Sequence, residues 1–456
     1  MTAYKTIGEN LVIRILALCL SIVVSSALFA MPVSAEEKLS QVLFTNVSVF
    51  NGKDDDLANV DVLIEGNKIA KIATSINPSK EMAVIDGGGR TLTPGFIDAH
   101  THLQWNMGVT EHFYSPIDYQ ASLALVEAEN TLMRGFTTIR DVGGSVFGVK
   151  RAIDEGHFPG PRIYSSGAAI SMTTGHGDFR TPSTSPRMMG GPSETEAEHV
   201  GLVIFADGVP EVLAASRMQF RKGAHFLKIF VGGAVSGMYD PLDIAEYSLE
   251  ELQAAVGEAE RWNTYVAVHT YTDTSTRMAI EAGVKSLEHN NLINEETVKL
   301  AAEKGVFIST QAALFMNPAP PSFTPAQVER QQQAKEGLDR LMRASKKYNA
   351  KVLFGTDMVA SIESKRAQVT EFTLRSGWFS NAEILKQATS VNAEALELSG
   401  PRNPYPGKLG VIEEGAYADL LLINGNPIAD IEILTNPEDN LALIMKDGKI
   451  YKNTIE

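Results

Sequence analysis

Two textures of apolar and polar positions divide the chain. From 42 to 93, short apolar stretches (42–50, 60–65, 68–72 and 82–85) alternate with turns at Asn51-Gly52, Gly66-Asn67 and Gly87-Gly88-Gly89. Gly and Asn supply the backbone conformations that tight turns need, so this spacing predicts a small all-β unit. The texture returns at the other end in 407–423, 441–445 and 449–451, with Asp447-Gly448 before the last stretch. The two ends are therefore predicted to pair in one sheet-based domain. Between them, eight apolar runs (96–102, 137–142, 162–170, 226–231, 265–270, 286–290, 306–311 and 352–358) are mostly separated by helical periodicity, as in 118–133, 249–261, 274–282 and 295–303. Strand and helix in alternation predict parallel β/α units, and eight of them close naturally into a (β/α)₈ TIM barrel. The expected α/β architecture is thus a barrel over 95–400 and a β-sandwich built from 36–94 and 401–456. In such a barrel the active site lies at the C-terminal strand ends. Two longer connections, 172–219 and the Pro-rich 315–325, could carry substrate contacts there.

Composition narrows the class. With 456 residues, 44% hydrophobic and 21% charged, the chain can bury one large domain and a smaller one. A formal net charge of −15 without a Lys/Arg cluster excludes a nucleic-acid partner. At the N-terminus, Lys5 and Arg14 lead into an apolar run, 15–30, followed by Val33-Ser34-Ala35. That order fits a secretory signal over 1–35, with the mature chain starting near Glu36. A membrane anchor is the alternative, since 11–30 approaches spanning length, but Arg14 shortens the run. The expectation is an exported protein, periplasmic or secreted, with no stable membrane anchor after cleavage. Cys19 is the only cysteine and lies in this segment, so the mature chain has no disulfide, thiol nucleophile or thiolate metal site.

The polar residues at the predicted strand ends carry the chemistry. His100 and His102 alternate on one strand and so project to one face, where two imidazoles can hold a metal ion of the zinc kind. Asp98 is near enough to support them. Alone, the pair also fits two core histidines. Lys228 lies inside an apolar strand, Phe226-Leu-Lys-Ile-Phe-Val231, where a charged amine is costly. Either it snorkels outward, or its neutral amine takes up carbon dioxide as a carbamate that bridges two cations. His269 and His289 each end an apolar run, one β/α unit apart. Asp357 ends the eighth run, as a proton acceptor or a helix N-cap. Together these residues are far more specific than any one of them.

Pro94-Gly-Phe-Ile-Asp-Ala-His100-Thr-His102, Lys228, His269, His289 and Gly355-Thr-Asp357 resemble the metal-dependent amidohydrolase superfamily. The stretch 414–421 resembles its C-terminal sandwich strand and 387–393 its last barrel helix. Within the superfamily the chain is similar to the imidazolonepropionase-related branch that contains Xaa-Pro dipeptidases and carboxypeptidases acting on N-acyl amino acids. Imidazolonepropionases lack the strand-four lysine and use one metal, so Lys228 points to the binuclear members. The resemblance implies two divalent cations, Zn²⁺ by expectation. His100, His102 and Asp357 would hold one, His269 and His289 the other, and carbamylated Lys228 would bridge them. Two cations sharing a water lower its pKa and polarise the scissile carbonyl, while Asp357 moves the proton. The expected substrate is a small amide, a dipeptide or an N-acyl amino acid. His176, just past the third strand, could steady the oxyanion or hold the substrate carboxylate; Tyr239 and Arg180 are further carboxylate candidates. Arg140-Asp141 is expected to form an ion pair, and His112, His157, His199 and His225 to be surface or packing residues. A homo-oligomer is expected. The competing readings are a mononuclear cyclic-amide hydrolase or deaminase, and a non-catalytic exported binding protein.

Overall fold

A computed structural model describes residues 40–455; the expected signal segment lies outside them. Seven parallel strands form one sheet in the spatial order Val203–Phe205, Ala169–Ser171, Leu227–Phe230, Val266–Thr272, Ser286–Leu292, Phe307–Thr310 and Val352–Phe354. A second parallel sheet holds Arg162–Ser165, Phe136–Asp141 and Phe96–Thr101. These strands are buried along almost their whole length, which is why they read as continuous apolar runs. Helices such as Gly208–Lys222, Leu249–Arg261, Asp273–Ala282, Glu295–Glu303 and Pro325–Lys347 cover the larger sheet. Ile229, Val268, Leu287 and Ile308 from the strands form one core with Val212, Leu252, Val298 and Leu341 from the helices. The helix starts follow local chemistry. Ser248 with Glu251, and Thr324 with Gln327, form capping boxes, and Pro325 opens its helix with a φ already suited to it.

The backbone N–H groups of Thr356 and Asp357 donate to the carbonyl oxygen of His100, at 3.3 and 2.8 Å. These two bonds join the end of the large sheet to the first strand of the small one. The apolar run at 352–358 stops being a strand at Phe354, because Asp357 turns into the left-handed region, φ 53°. The run at 162–170 is likewise split, with Gly167 at φ 70° between Arg162–Ser165 and Ala169–Ser171. A Cβ there would stand 2.5 Å from Gln219 Oε1, so the turn depends on glycine. The long connection at 172–219 is partly ordered: it contains the strand Val203–Phe205 and most of the helix Gly208–Lys222.

Both chain ends meet in a six-stranded sheet, Lys449–Asn453, Leu441–Lys446, Leu420–Ile423, Thr91–Pro94, Ser48–Val49 and Ala58–Asn59, in that order. Its joint is the antiparallel pairing of Leu420–Ile423 with Thr91–Pro94. A four-stranded sheet, Lys68–Ala73, Asp61–Glu65, Gln41–Thr45 and Ala83–Asp86, contributes Phe44, Val62 and Ile64 to an apolar cluster shared with Leu92, Leu420, Leu422 and Leu443. No helix among the described residues is long and apolar enough to cross a membrane.

Candidate active site

Four histidines from three strands meet at the strand ends. His100 and His102 come from the strand Phe96–Thr101 and the residue after it, His269 from Val266–Thr272 and His289 from Ser286–Leu292. Their ring centroids form a chain: His102 to His100 5.6 Å, His100 to His289 5.1 Å, His289 to His269 4.5 Å. Asp357 closes the group, its Oδ1 lying 3.2 Å from His102 Nε2 and 3.5 Å from His100 Nε2. Ligand-capable atoms of His100, His289 and Asp357 all lie within 4.8 Å of one another.

The outer nitrogens explain why the inner ones are free. Nδ1 of His100 faces Glu288 Oε2 at 2.8 Å, Nδ1 of His102 faces the Gly143 carbonyl at 2.9 Å, and Nδ1 of His289 faces Gln311 Oε1 at 2.8 Å. An oxygen at Nδ1 takes the ring's proton there and leaves Nε2 as a lone pair. Burial pulls His100, His269 and His289 below the ordinary histidine pKa, for the last two far below it. Burial would lower His102 as well, but its Nε2 contact with Asp357 outweighs this and raises it. Three neutral imidazoles, a fourth whose Nε2 faces the carboxylate, and the carboxylate itself are a donor set that fits a divalent cation of the zinc kind once the proton on that Nε2 is displaced. Burial would raise Asp357, but His100 and His102 outweigh it and hold the acid well below the usual range, hence ionised.

Lys228 is fully buried in its strand, so the outward reading is excluded. Burial lowers its amine to about 8, against the attraction of Glu288 and Asp357. Glu288 is buried as well. Burial acts to raise it, yet Arg140, 2.8 Å away, and His100 keep it well below the ordinary range. Arg140 therefore pairs with Glu288 and not with Asp141, which corrects the expected Arg140–Asp141 pair. Adjacent strand residues point to opposite faces, and Asp141 instead accepts the backbone N–H of Leu103 at 2.7 Å. Asp98 supports the histidines from behind. It accepts the N–H of His100 (3.0 Å), the N–H and hydroxyl of Thr356 (3.1 and 2.6 Å) and the amide of Gln368 (2.8 Å).

His176 stacks on His269, with centroids 4.5 Å apart and planes at 16°, and its Nδ1 lies 3.0 Å from Asp240 Oδ2. It therefore stands beside the histidine group, where the strand-end rule placed it. Tyr239 is 42% exposed on the segment after the fourth strand. Arg180 is committed elsewhere: Asp178 takes its Nε and Nη2 at 2.7 and 2.5 Å, so its fork is not open to a substrate carboxylate. His157 and His199 are exposed, while His225 is buried and accepts the Ser165 N–H. His112 is buried against Trp105, and neither ring nitrogen has a hydrogen-bond partner among the described residues.

Sequence reasoning missed Glu288, Gln311, Asp240 and Lys365, whose amine donates to the His102 carbonyl at 2.7 Å. The argument applied to Lys228, a charge inside an apolar run, would have found Glu288, and the strand-end rule would have found Gln311. Asp240 and Lys365 sit in segments with no such pattern.

The sequence profile of the Amidohydrolase family matches residues 91–451. The ochratoxinase of Aspergillus niger is 30% identical over 438 residues, 92% of this chain and 88% of that one. Among solved structures, a prolidase complexed with N-methylphosphonate-L-proline matches at 31% identity with a TM-score of 0.83, covering 91% of this chain and 100% of that one. A Xaa-Pro dipeptidase with methionine bound in its active site matches at 28% with a TM-score of 0.77, over the same shares. These fold neighbours imply a TIM barrel with an additional domain, in keeping with the seven parallel strands described above.

Proposed function

This chain belongs to the amidohydrolase family and is a hydrolytic enzyme, and from that premise we propose an exported two-cation amidohydrolase that cleaves an amide or peptide bond next to a free amino-acid carboxylate. The observation that carries the reading is the row of four histidine rings from His102 through His100 and His289 to His269, with Asp357 at one end and the buried Lys228 beside it, a donor set larger than a single ion needs. His100, His102 and Asp357 would hold one divalent cation, His269 and His289 the second, and Lys228, as a carbamate, would bridge them. Such a pair supplies a polarised carbonyl and a more acidic water. The chain's own part is positional and protonic. Asp357, kept ionised by His100 and His102, takes the proton of the attacking water at a carboxylate oxygen and returns it to the departing amine. His176 addresses the oxyanion or the substrate carboxylate from beside His269.

The substrate class is supported by the names of the relatives: a prolidase, a Xaa-Pro dipeptidase and an ochratoxinase. In the same reading, 1–35 is an export signal leaving a periplasmic or secreted enzyme. The two parallel sheets are one (β/α)₈ barrel over 95–400, and the paired chain ends form a β-sandwich. A homo-oligomer remains part of the proposal. A mononuclear hydrolase or deaminase is the second reading, favoured by the tightness of the His100, His289 and Asp357 group taken alone.

Metal analysis of dialysed protein, joined to a screen of dipeptides and N-acyl amino acids, tests the proposal. About two cations per chain and turnover that is lost on chelation and restored by Zn²⁺ are expected. About one cation with full turnover, or release of ammonia in place of an amino acid, would select the second reading.

A further inference from the structure

The segment 232–245, which follows the strand Leu227–Phe230, is wound around a single acid. Asp240 is buried, and its Oδ2 accepts both the Ala234 N–H and the Nδ1 proton of His176, each at 3.0 Å. The winding is close: a Cβ on Gly237 would stand 2.1 Å from Asp240 Oδ1, and one on Gly233 would stand 2.0 Å from the Pro241 carbonyl oxygen. The helix Pro325–Lys347 holds the segment from its other side. Arg330 donates to the Ala234 carbonyl at 2.8 Å and Gln327 to that of Ser236 at 2.7 Å. The tip carries Met238 and Tyr239, 65% and 42% exposed.

His176 is correspondingly constrained. Its backbone N–H donates to Glu246 Oε1 at 2.7 Å, one ring face lies on His269 and an edge meets Phe230 at 4.9 Å. Its Nε2 makes no hydrogen bond to the described residues. An anion at one imidazole nitrogen sets both the tautomer and the ring orientation, which decides what the other nitrogen presents.

We propose that Asp240 is a positioning residue that fixes His176 with Nε2 presented to the substrate and carries Tyr239, its chain neighbour, on the same turn. This deepens the hydrolytic reading above and rests on it. The Asp240 carboxylate couples the segment that bears exposed side chains to a ring stacked on the cation-binding group. Substrate contacts at Met238 and Tyr239 and the placing of His176 are thus one mechanical unit.

A double-mutant cycle on the metal-loaded enzyme tests this. Asp240→Ala is expected to lower kcat/KM about 10- to 100-fold with metal content unchanged. In the His176→Ala background the same change should cost several-fold less, because only the placing of Tyr239 then remains to be lost. Gly237→Ala, which crowds the carboxylate without removing its charge, should reproduce the loss if the Asp240 variant fails to fold. An equal loss in both backgrounds would overturn the proposal. Imidazole ¹⁵N spectra provide a readout independent of turnover: His176 should be protonated at Nδ1 in the native protein and lose that preference in Asp240→Ala. An unchanged His176 resonance would also overturn it. A native protein that keeps the Nδ1 proton but hydrolyses no amide would leave the positioning intact and sink the hydrolytic reading instead.

Discussion

Lys228 is 1% exposed; burial and, to a smaller extent, Arg140 lower its amine, while Glu288 and Asp357 act to raise it. The outcome, about 8, makes a neutral amine accessible near physiological pH, the form able to add carbon dioxide. Lys228→Ala is expected to fold, because Glu288 keeps its bonds to Arg140 and His100. Metal analysis should then show one or both cations lost, with most turnover, and partial recovery on adding a small carboxylate. Unchanged metal content would remove the bridging role. At this scale the imidazoles were legible because each ends an apolar run, and Glu288 was open to the same argument, but its meeting with His100 depends on a break in the pleat. Strict alternation would send Glu288 and His289 to opposite faces, but both reach His100: His289 sits at φ 75° and Asn290 at 61°. Left-handed backbone at bulky residues is costly and gathers at functional sites, and no periodicity announces it.

Between elements, single polar side chains make the joints. Asp98 binds the His100 strand to the Thr356 turn, and His225 binds the strand Arg162–Ser165 to Leu227–Phe230 by exchanging bonds with Ser165, N–H to Nδ1 at 2.8 Å and N–H to carbonyl at 2.9 Å. His225 must be neutral to accept. Burial, with a smaller effect of Lys150, lowers it from 6.5 to about 4. The unfolded chain therefore binds the proton first as pH falls. The contribution of His225 is fully present above pH 6.5 and is lost as the pH drops from there towards 4, by up to about 3 kcal/mol at about 1.4 kcal/mol per unit. His225→Asn keeps an acceptor without the titration. Denaturation midpoints at pH 7 and 4.5 should differ less for this variant than for the native protein, and equal differences would contradict the assignment. Strand and helix alternation was readable because both faces of the strands are covered. The breaks at Gly167 and Asp357 were not, since they depend on what lies opposite: Gln219 in one case and the His100 carbonyl in the other.

Across the molecule, Arg162 ties the small parallel sheet to the sheet made by the chain ends. Its Nε and Nη2 reach Asp419 at 2.9 and 3.2 Å, and Nη2 also reaches Asp447 at 2.7 Å. Removing one partner of a buried pair leaves an uncompensated charge, so Arg162→Met should cost about 3–5 kcal/mol in urea unfolding. The double variant Arg162→Met with Asp419→Leu should recover much of that loss, and a double variant no more stable than the single one would refute the pairing. The pairing of the chain ends was foreseen from their common texture, whereas this cross-tie was not, because Arg162 opens an apolar run that resembles any other. The carbonyl oxygen of His100 has a further consequence. It is met by N–H groups that lie more than 250 residues later, at Thr356 and Asp357, so a ribosome has made most of the polypeptide before the acid can join the imidazoles. Metal capture would then be among the last events in the biogenesis of the enzyme, and fragments ending before 352 would carry every histidine of the centre yet remain inert.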